Sequence, residues 1–505
     1  MKPTIQRWLA RLAMTLAALL PAATWAAEPA LAAAKPNVLF LLVDDLDVAV
    51  YQSGLDAGLY PHIKSLVAAG TSFSNAFVSL SICCPSRSTF FTGQYPHNHG
   101  TLRNSGKAGG FKSFKDSSTL AVWMKAGGYR TALMGKYLNG YKAEASGYVP
   151  PGWDTWNALL SLHQYDYSLT VPGGVQSHGS APEDYQTDVL ANLADSYVRT
   201  PSSQPFFLAL TPSAPHLESG GEVGDDDGGD SLRPAPRHVG TPTVTLPASL
   251  LPSFNEADLS DKPKWLRQRP LTQLATQQRV FNEKRTAMRA VDDMVGKLVL
   301  ALKETGQWDN TLFVFTSDNG FQYGTHRRNL TKVDFYEESI RLPMVVKAPG
   351  QRSSRVADGW SLNNDWAVTV LDYAGLQPAA GHRFDGQSLR PLLEGSGSGR
   401  RTLLVELPAT GQSGGHVPFY ALRSKDPALT LDPSGKKVLV FAQTENAAGS
   451  SVTDLELYDL DTDPWQVQSL HRSTESQRVQ QIQLMRTRLD ALKTCAADQC
   501  RSLER

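Results

Sequence analysis

Short apolar runs that stop at polar residues constrain the fold of this chain more than any other feature. Residues 38–43 are continuously apolar and stop at Asp44 and Asp45, within "PNVLFLLVDD". The segments "PFFLALTPSAPH" and "NTLFVFTSDNG" repeat this pattern. Such runs are typical of strands that are buried on both faces of a parallel sheet. Because segments of helical character lie between them, we predict an α/β fold built from βαβ units.

Polar side chains follow each of these predicted strands. Asp44 and Asp45 follow the first strand, His216 follows the second, and Asp318 and Asn319 follow the third. In open α/β sheets, binding sites form beyond the carboxyl ends of the strands. These residues are hard to explain as core, so they mark a candidate site at one edge of the sheet.

The four strand-end residues Asp44, Asp45, Asp318 and Asn319 offer hard oxygen donors. Carboxylate and amide oxygens suit Ca²⁺ or Mg²⁺ better than zinc or copper. A single Asp-Asp pair is more often a helix cap or a turn. Two pairs that each follow a buried strand favour a divalent-cation site, because carboxylates crowded together without a cation repel one another.

Two adjacent cysteines, Cys83 and Cys84, precede a Pro-Ser-Arg turn in "SICCPSRSTFFTG". A disulfide between neighbours is far from the preferred bridge geometry. Nearby residues offer no further cysteine or histidine at the regular spacing that a zinc site requires. The pair therefore indicates chemistry at one of the two sulfurs.

The remaining cysteines, Cys495 and Cys500, lie in "CAADQC" near the C-terminus. We predict that they form a disulfide that closes a short loop, and the alternative is two free thiols on a frayed helix end. A disulfide is compatible with an exported protein.

The N-terminal residues resemble an export signal. Lys2, Arg7 and Arg11 precede the apolar stretch "LAMTLAALL", and small residues follow it. We predict a signal peptide and short leader over residues 1–34, with cleavage after Ala26 or after Ala34, in preference to a retained anchor. The protein is then periplasmic or secreted, without a stable membrane anchor.

The overall charge of the chain limits the partners that it can be expected to bind. Lys+Arg and Asp+Glu number 49 each, so no global field favours nucleic acid, and anion specificity must come from locally placed cations.

A compositional break at "LEGSGSGRR" (393–401) predicts a main domain over 35–395 and a C-terminal unit over 396–505 with short strands and a final helix. Residues 218–240 form a Gly- and Asp-rich insertion that lacks EF-hand spacing.

Several motifs in order along the chain resemble those of type I sulfatases. The motif "CCPSR" at 83–87 matches the family signature C-x-P-S-R, whose first cysteine is oxidised to formylglycine. The further matches are "PNVLFLLVDD", "GK" at 135–136, "APH" at 214–216, "SDNG" at 317–320, "KVDFYEESIRLP" from Lys332, and "LYDLDTDP".

The resemblance implies both a fold and an activity. The expected fold is alkaline-phosphatase-like: a large mixed, mostly parallel sheet flanked by helices, with a smaller C-terminal α+β subdomain that carries an antiparallel sheet. The expected activity is hydrolysis of sulfate monoesters, either aryl sulfates or sugar O-sulfates such as 6-O-sulfated glucosamine. The expected partners are a small-molecule or oligosaccharide sulfate ester and a formylglycine-generating maturation enzyme.

The resemblance also implies roles at the matched positions. A divalent cation, Ca²⁺ with Mg²⁺ as the alternative, would be bound by Asp44, Asp45, Asp318, Asn319 and the hydrated aldehyde made from Cys83.

The remaining matched residues are basic. Arg87 and Lys332 would stabilise the aldehyde hydrate (3-oxoalanine, or formylglycine) and the ester oxygens. Lys136 and His216 would clamp the sulfate, with His216 as the candidate proton donor to the leaving alcohol. Cys84 would be an ordinary buried thiol.

One position departs from the pattern of many sulfatases. Leu138 stands where they have a histidine two residues after the lysine, and "GKYLNGY" and "GQYPHNHG" resemble more closely the N-acetylglucosamine-6-sulfatase and extracellular endosulfatase branch. His97 or His99 either supplies the missing contact or belongs to a structural turn. The aromatic residues of "GWDTW" and "HQYDY" either stack on a substrate ring or belong to the core.

Two other functions compete with a sulfatase. A phosphonate or phosphate monoester hydrolase of the alkaline phosphatase superfamily would tend to have Asp-His where this chain has Asp318-Asn319. An inactive carbohydrate-binding relative would be expected to lose the cysteine, an acidic ligand or a clamping lysine, and this chain keeps all of them.

Overall fold

The computed structural model describes residues 35–141, 147–218, 231–411 and 416–505. The predicted signal peptide and leader (1–34) lie outside the described residues, as does most of the Gly- and Asp-rich insertion (219–230). The described strands are β1 (Asn37–Val43), β2 (Thr71–Phe73), β3 (Ala76–Phe77), β4 (Arg130–Gly135), β5 (Thr155–Ala158), β6 (Ser168–Val171), β7 (Gly174–Ser177), β8 (Phe206–Thr211), β9 (Thr311–Ser317), β10 (Arg341–Leu342), β11 (Met344–Lys347), β12 (Arg355–Ala357), β13 (Ser361–Leu362), β14 (Thr402–Leu407), β15 (Phe419–Ser424), β16 (Leu439–Glu445) and β17 (Val452–Asp459). The described α-helices are α1 (Val48–Asp56), α2 (Pro61–Ala69), α3 (Cys83–Thr92), α4 (Pro96–His99), α5 (Leu120–Ala126), α6 (Gln186–Arg199), α7 (Lys264–Arg267), α8 (Leu274–Glu304), α9 (Glu337–Ile340), α10 (Asp365–Ala374), α11 (Arg390–Leu393), α12 (Pro427–Thr430), α13 (Ser476–Leu492) and α14 (Asp498–Leu503).

The large sheet has eight strands in the order β12-β2-β11-β9-β1-β8-β4-β5. Its centre is parallel: β1 pairs with β8 and β9, and β4 pairs with β8 and β5. Strand β11 runs antiparallel to β9 and β2. The prediction of a mixed, mostly parallel sheet is therefore confirmed.

Strand β1 is buried along its whole length because helices cover both faces of the sheet. Its side chains alternate between the two sides, as they must in a strand. Phe40 packs on one side, with its ring centroid 4.1 Å from that of Phe90 on α3. Leu39 and Leu41 pack on the other side, in the cluster that contains residues of α1, α2, α6 and α8. The continuous apolar run of the sequence is thus a strand whose two faces pack into two different hydrophobic clusters.

The C-terminal strands form a separate antiparallel sheet in the order β14-β15-β16-β17. The three C-terminal strands predicted from the sequence correspond to β15, β16 and β17, and the predicted final helix corresponds to α13; β14 precedes them. The apolar side of this sheet joins the same core as α3 and α10. The boundary near residue 396 stays a prediction.

The last residues of the chain pack against the main body. The predicted disulfide between Cys495 and Cys500 is present. The fully buried guanidinium of Arg400 forms ion pairs with Asp365, on α10, and with Glu504. Glu504 also accepts a hydrogen bond from the hydroxyl of Tyr95.

Within the described ranges, no helix combines the length and the apolar character needed to cross a membrane.

Candidate active site

The strand-end residues meet at one edge of the large sheet, as predicted. Because β1, β8, β9 and β4 are parallel, the residues that follow them emerge at the same edge. The backbone amide of Asp45 donates to Asp318 Oδ1 at 3.2 Å, which joins the first and third strand ends directly. Asp45 has a φ of 63°, a left-handed conformation that aspartate adopts more readily than most residues.

Two of the candidate carboxylates contact buried lysines. Lys136 Nζ donates to Asp44 Oδ2 at 2.6 Å, and Lys332 Nζ donates to Asp45 Oδ1 at 2.6 Å. These four residues are at most 2% exposed.

The third carboxylate has a cation of its own. Arg87 Nε donates to Asp318 Oδ2 at 2.8 Å, and Arg87 Nη2 lies 3.7 Å from Asp44 Oδ2. The structure therefore brings together three acids and three bases that are distant in sequence.

Cys83 is the first residue of α3 and points into this cluster. Its Sγ lies 2.9 Å from Lys332 Nζ and 3.6 Å from Asp44 Oδ1. One helical turn later, α3 presents Arg87 on the same side, because residues four apart share a face. The neighbouring Cys84 belongs to the apolar core instead, which agrees with its predicted role as an ordinary buried thiol.

The unmodified sulfur of Cys83 is a weak nucleophile in this environment. Burial raises the pKa of the Cys83 thiol to about 12, although Lys136 and Lys332 act to lower it. Since the thiolate is the reactive form of cysteine, the thiol is almost fully protonated at neutral pH in the metal-free protein. The surrounding residues therefore do not convert the Cys83 thiol into the reactive thiolate.

Two of the three carboxylates are held ionised by their neighbours. Burial alone would raise the pKa of Asp44, but Lys136 and other nearby cations hold it below its ordinary value. Burial acts in the same way on Asp45, but Lys332 and His216 lower the pKa of that carboxyl to about 2. Burial and the adjacent Asp44 raise the pKa of Asp318 to about 6. A divalent cation would favour the ionised form of all three.

The donor atoms fit a divalent cation. Ligand atoms of Asp44, Asp45, Cys83 and His216 all lie within 4.8 Å of one another, whereas the predicted ligand Asp318 is not a member of this group. The side chain of Asn319 donates from Nδ2 to Asp45 Oδ1 at 2.6 Å. Its Oδ1 is buried and accepts no hydrogen bond from any described residue. A buried amide oxygen without a partner is costly, and a hard cation at this position would satisfy it.

His216 lies in the loop after β8 and borders the same cluster. Its Nε2 is 3.6 Å from Asp45 Oδ2, and its Nδ1 is 2.5 Å from the carbonyl oxygen of Leu217. This arrangement fits a tautomer in which Nδ1 donates to Leu217 and Nε2 faces the site. Burial lowers the pKa of His216 to about 4, so the free protein holds a neutral imidazole at pH 7.

Lys284 is a site neighbour that sequence analysis did not identify. It lies on α8, is fully buried, and its Nζ has no hydrogen-bond partner among the described residues. The ammonium lies 3.6 Å from the ring centroid of Phe321, which follows Asn319 by two residues. Burial lowers the pKa of Lys284 to about 8, against the attraction of Asp45 and Asp47. A lysine in a long, mostly polar helix carries no local signal of this burial.

Both histidines of the "GQYPHNHG" segment have structural partners. His97 Nδ1 contacts Glu406 Oε1 at 2.8 Å, and its Nε2 contacts the carbonyl oxygen of Cys495 at 2.9 Å. His99 Nε2 lies 3.0 Å from the hydroxyl of Thr89. The structural-turn alternative is therefore the one that these contacts support.

Leu138 and the two tryptophans of the "GWDTW" segment, which sequence analysis considered as possible neighbours of the substrate, lie in the core. Leu138 is buried in the apolar core. Trp153 and Trp156, of the "GWDTW" segment, are also core residues, with the ring of Trp153 stacked 5.6 Å from that of Phe207. For these two tryptophans the contacts therefore support the alternative that they belong to the core.

Comparison with known proteins places the chain among sulfate ester hydrolases. A family model described as Sulfatase matches residues 36–376. An arylsulfatase of Volvox carteri is 29% identical over 518 residues, which cover 92% of this chain and 76% of that protein. The N-acetylglucosamine-6-sulfatase of Homo sapiens is 29% identical over 504 residues, which cover 93% and 86%.

Solved structures share the fold. One of them, a protein in complex with its substrate D-glucosamine-2-N,6-O-disulfate, superposes with a TM-score of 0.70 at 20% identity. The match covers 93% of this chain and 98% of that protein. At this identity the likeness concerns the fold alone.

The contacts of His97 predict a pH-dependent contribution to stability. Burial acts to lower the pKa of His97, but Glu406 outweighs it and raises the pKa to about 9. A raised folded-state pKa means that the stabilisation is complete below the ordinary value near 6.5 and is lost as pH rises towards 9. We expect His97→Gln to lower the free energy of unfolding by on the order of 3 kcal/mol at about pH 6 and by much less at about pH 10.

Urea unfolding at both pH values measures this difference, and His62→Gln, at an exposed histidine, is the matched control. An equal loss of stability at both pH values would contradict the assigned ion pair.

Proposed function

Because the chain belongs to the sulfatase family and is a sulfuric ester hydrolase, we propose that Cys83, oxidised to formylglycine, is its nucleophile and that a divalent cation, Ca²⁺ first, is its cofactor. The observation that carries this proposal is the position of Cys83 Sγ, 2.9 Å from Lys332 Nζ and 3.6 Å from Asp44 Oδ1. The sulfur marks the place of the aldehyde hydrate. As a hydrate, formylglycine supplies one hydroxyl that attacks sulfur and a second that expels sulfate as the aldehyde re-forms.

Asp44, Asp45, Asp318 and Asn319 would hold the cation. Their oxygens are hard donors, and the unpaired Oδ1 of Asn319 supports a ligand at that position. When bound, the cation supplies Lewis-acid polarisation of the sulfate oxygens. These carboxylates would hold the cation near Cys83, at the start of α3.

The basic residues stabilise negative charge on the sulfate group during transfer. Lys136 lies against Asp44 and Lys332 against Asp45, so both ammonium groups are held in place before substrate binds. Arg87 is fixed by Asp318 and by the carbonyl oxygen of Lys136, at 2.9 Å. Preorganised cations of this kind need no rearrangement when charge develops.

His216 is proposed to deliver the proton to the leaving alcohol. It is neutral in the free protein, and the negative charge of a bound sulfate would raise its pKa. Its Nε2 faces the cluster while Nδ1 is anchored at the Leu217 carbonyl. With a leucine at position 138, no second histidine follows Lys136 to share this task.

The proposed substrates are sulfated sugars, with 6-O-sulfated glucosamine units first. The similarity to an N-acetylglucosamine-6-sulfatase over 93% of the chain supports this choice. The Asp318-Asn319 pair, where a phosphonate or phosphate monoester hydrolase would tend to have Asp-His, disfavours that function. The complete cluster of acids and bases disfavours an inactive carbohydrate-binding relative.

We also propose that the protein is exported to the periplasm or secreted. The basic and apolar pattern of residues 1–34 supports an export signal. The disulfide between Cys495 and Cys500 is consistent with an oxidising compartment. Maturation of Cys83 then requires a formylglycine-generating enzyme in the producing cell.

The modification is tested by peptide mass spectrometry of residues 81–87 from active protein. We expect formylglycine at position 83 and an unmodified Cys84, because the C-x-P-S-R motif counts from Cys83. Cys83→Ala should abolish sulfate ester hydrolysis, and the matched control Cys84→Ala should retain it. Two unmodified cysteines in fully active protein would refute the proposed nucleophile.

The cation site is tested by removing single carboxylates. Asp318→Ala and Asp45→Ala should each lower activity by at least about 100-fold, because loss of a ligand weakens cation binding and misplaces the nucleophile. Elemental analysis should show reduced metal content in both variants. Asp309→Ala, which removes an exposed carboxylate, is the control. Full metal content in both site variants would overturn the ligand assignment.

The role of His216 is tested with two leaving groups. A sugar alkoxide needs a proton to leave, whereas a nitrophenolate leaves nearly unaided. We expect His216→Ala to lower kcat for a 6-O-sulfated sugar by about 10²- to 10⁴-fold and kcat for nitrophenyl sulfate far less. Equal losses on both substrates would mean that His216 binds sulfate without donating the proton.

A further inference from the structure

A groove of about 870 Å³ lies between α1 and the turn that follows β17. One wall is formed by Val48, Gln52 and Asp56, which are four residues apart on α1 and so share a face. The opposite wall is formed by residues of the 460–465 turn, including Trp465. The candidate catalytic and metal-binding residues do not line this groove. Its volume is in the range of small-ligand sites, about 300–1,000 Å³.

Two buried residues that line the groove are held by hydrogen bonds. Tyr323 lies at the floor, and its hydroxyl donates to Asp47 Oδ2 at 2.7 Å. Asp47 also accepts from the backbone amide of Val50 and so caps the start of α1. Tyr323 and Asp47 are therefore already satisfied, whereas the buried Oγ1 of Thr325, which also lines the groove, has no partner among the described residues.

The walls offer an aromatic ring together with a few polar groups. Trp465 is 41% exposed, unusually open for a tryptophan. Gln52 Nε2 donates to Asp56 Oδ1 at 2.7 Å, and both side chains are exposed. Asp461 is exposed on the opposite wall. An aromatic surface beside carboxylate and amide groups can pack against the apolar face of a sugar ring and accept hydrogen bonds from its hydroxyls.

The exposed charges of the groove are predominantly negative. Arg423 pairs with Glu337, whereas Arg341 donates to the carbonyl oxygen of Ser74, a neutral group that leaves its positive charge uncompensated. Asp56 and Asp461 are exposed acids and outnumber that one cation. This balance disfavours a sulfate group here, in contrast to the cation-rich cluster around Cys83.

We propose that this groove binds an uncharged saccharide, and that it is a second carbohydrate site separate from the sulfate-ester site. The two sites have opposite charge preferences: the cluster around Cys83 accepts a sulfated unit, and the groove accepts units without sulfate. Binding in the groove depends on Trp465, Asp56 and Asp461 and does not require the nucleophile.

The test uses Cys83→Ala protein, so that binding is measured without hydrolysis and whether or not the proposed nucleophile is correct. Isothermal titration calorimetry with the β-1,4-linked trimer of N-acetylglucosamine should give saturable binding with one site per chain. Trp465→Ala should weaken binding at least tenfold, whereas Trp465→Phe, which keeps a ring, should retain most of it. Asp56→Asn combined with Asp461→Asn should also weaken it, and the anionic trimer of galacturonic acid should bind at least tenfold more weakly.

In protein with Cys83 intact, Trp465→Ala should leave the turnover of nitrophenyl sulfate unchanged. The proposal is overturned if the neutral trimer does not saturate by about 10 mM, if Trp465→Ala binds it as well as the parent protein, or if the anionic trimer binds more tightly. Saturable binding by Cys83→Ala protein that still hydrolyses sulfate esters would support the groove and refute only the proposed nucleophile.

Discussion

The charge balance around three buried carboxylates is the constraint on which the rest of the site depends. Asp44, Asp45 and Asp318 lie together at an edge where they are at most 2% exposed. Two unit charges 4 Å apart interact by about 4 kcal/mol at the effective dielectric typical of proteins, so three carboxylates without cations would be strongly destabilised. Lys136 forms an ion pair with Asp44 and Lys332 with Asp45, while Arg87 pairs with Asp318 and also lies near Asp44. The same cations that stabilise the fold are therefore positioned to receive an anionic substrate.

Helix α3 connects this charge balance to Cys83, the proposed nucleophile. Cys83 and Arg87 lie one turn apart on it, and the hydroxyl of Ser86 donates to the carbonyl oxygen of Asp318 at 2.5 Å. The C-terminal sheet and tail hold the segment after α3. His97 on α4 contacts Glu406 of β14 and the carbonyl oxygen of Cys495, next to the disulfide. The C-terminal sheet and tail thus contact the segment that follows α3, although none of the candidate catalytic or metal-binding residues lies in them.

Much of the fold was predictable from local patterns. The run 38–43 is apolar at every position, which in a parallel sheet requires cover on both faces, and β1 has that cover. The strand ends at Asp44, His216 and Asp318 meet at one edge because parallel strands share a direction. The burial of Lys284 and the contacts of His97 with Glu406 and Cys495 could not be predicted, since a lysine in a long helix and a histidine after a proline are common at protein surfaces.

The sequence by itself determined the α/β class, the edge at which the site forms, and Cys83 as its candidate reacting residue, because these follow from periodicity and from a short motif that are local in the chain. Only the tertiary structure decided which cation contacts which carboxylate. Lys332 contacts Asp45 across 287 residues, and Arg87 contacts Asp318 across 231. Such pairings depend on the order of the strands in the sheet and on the helices that cover it, so no local pattern specifies them.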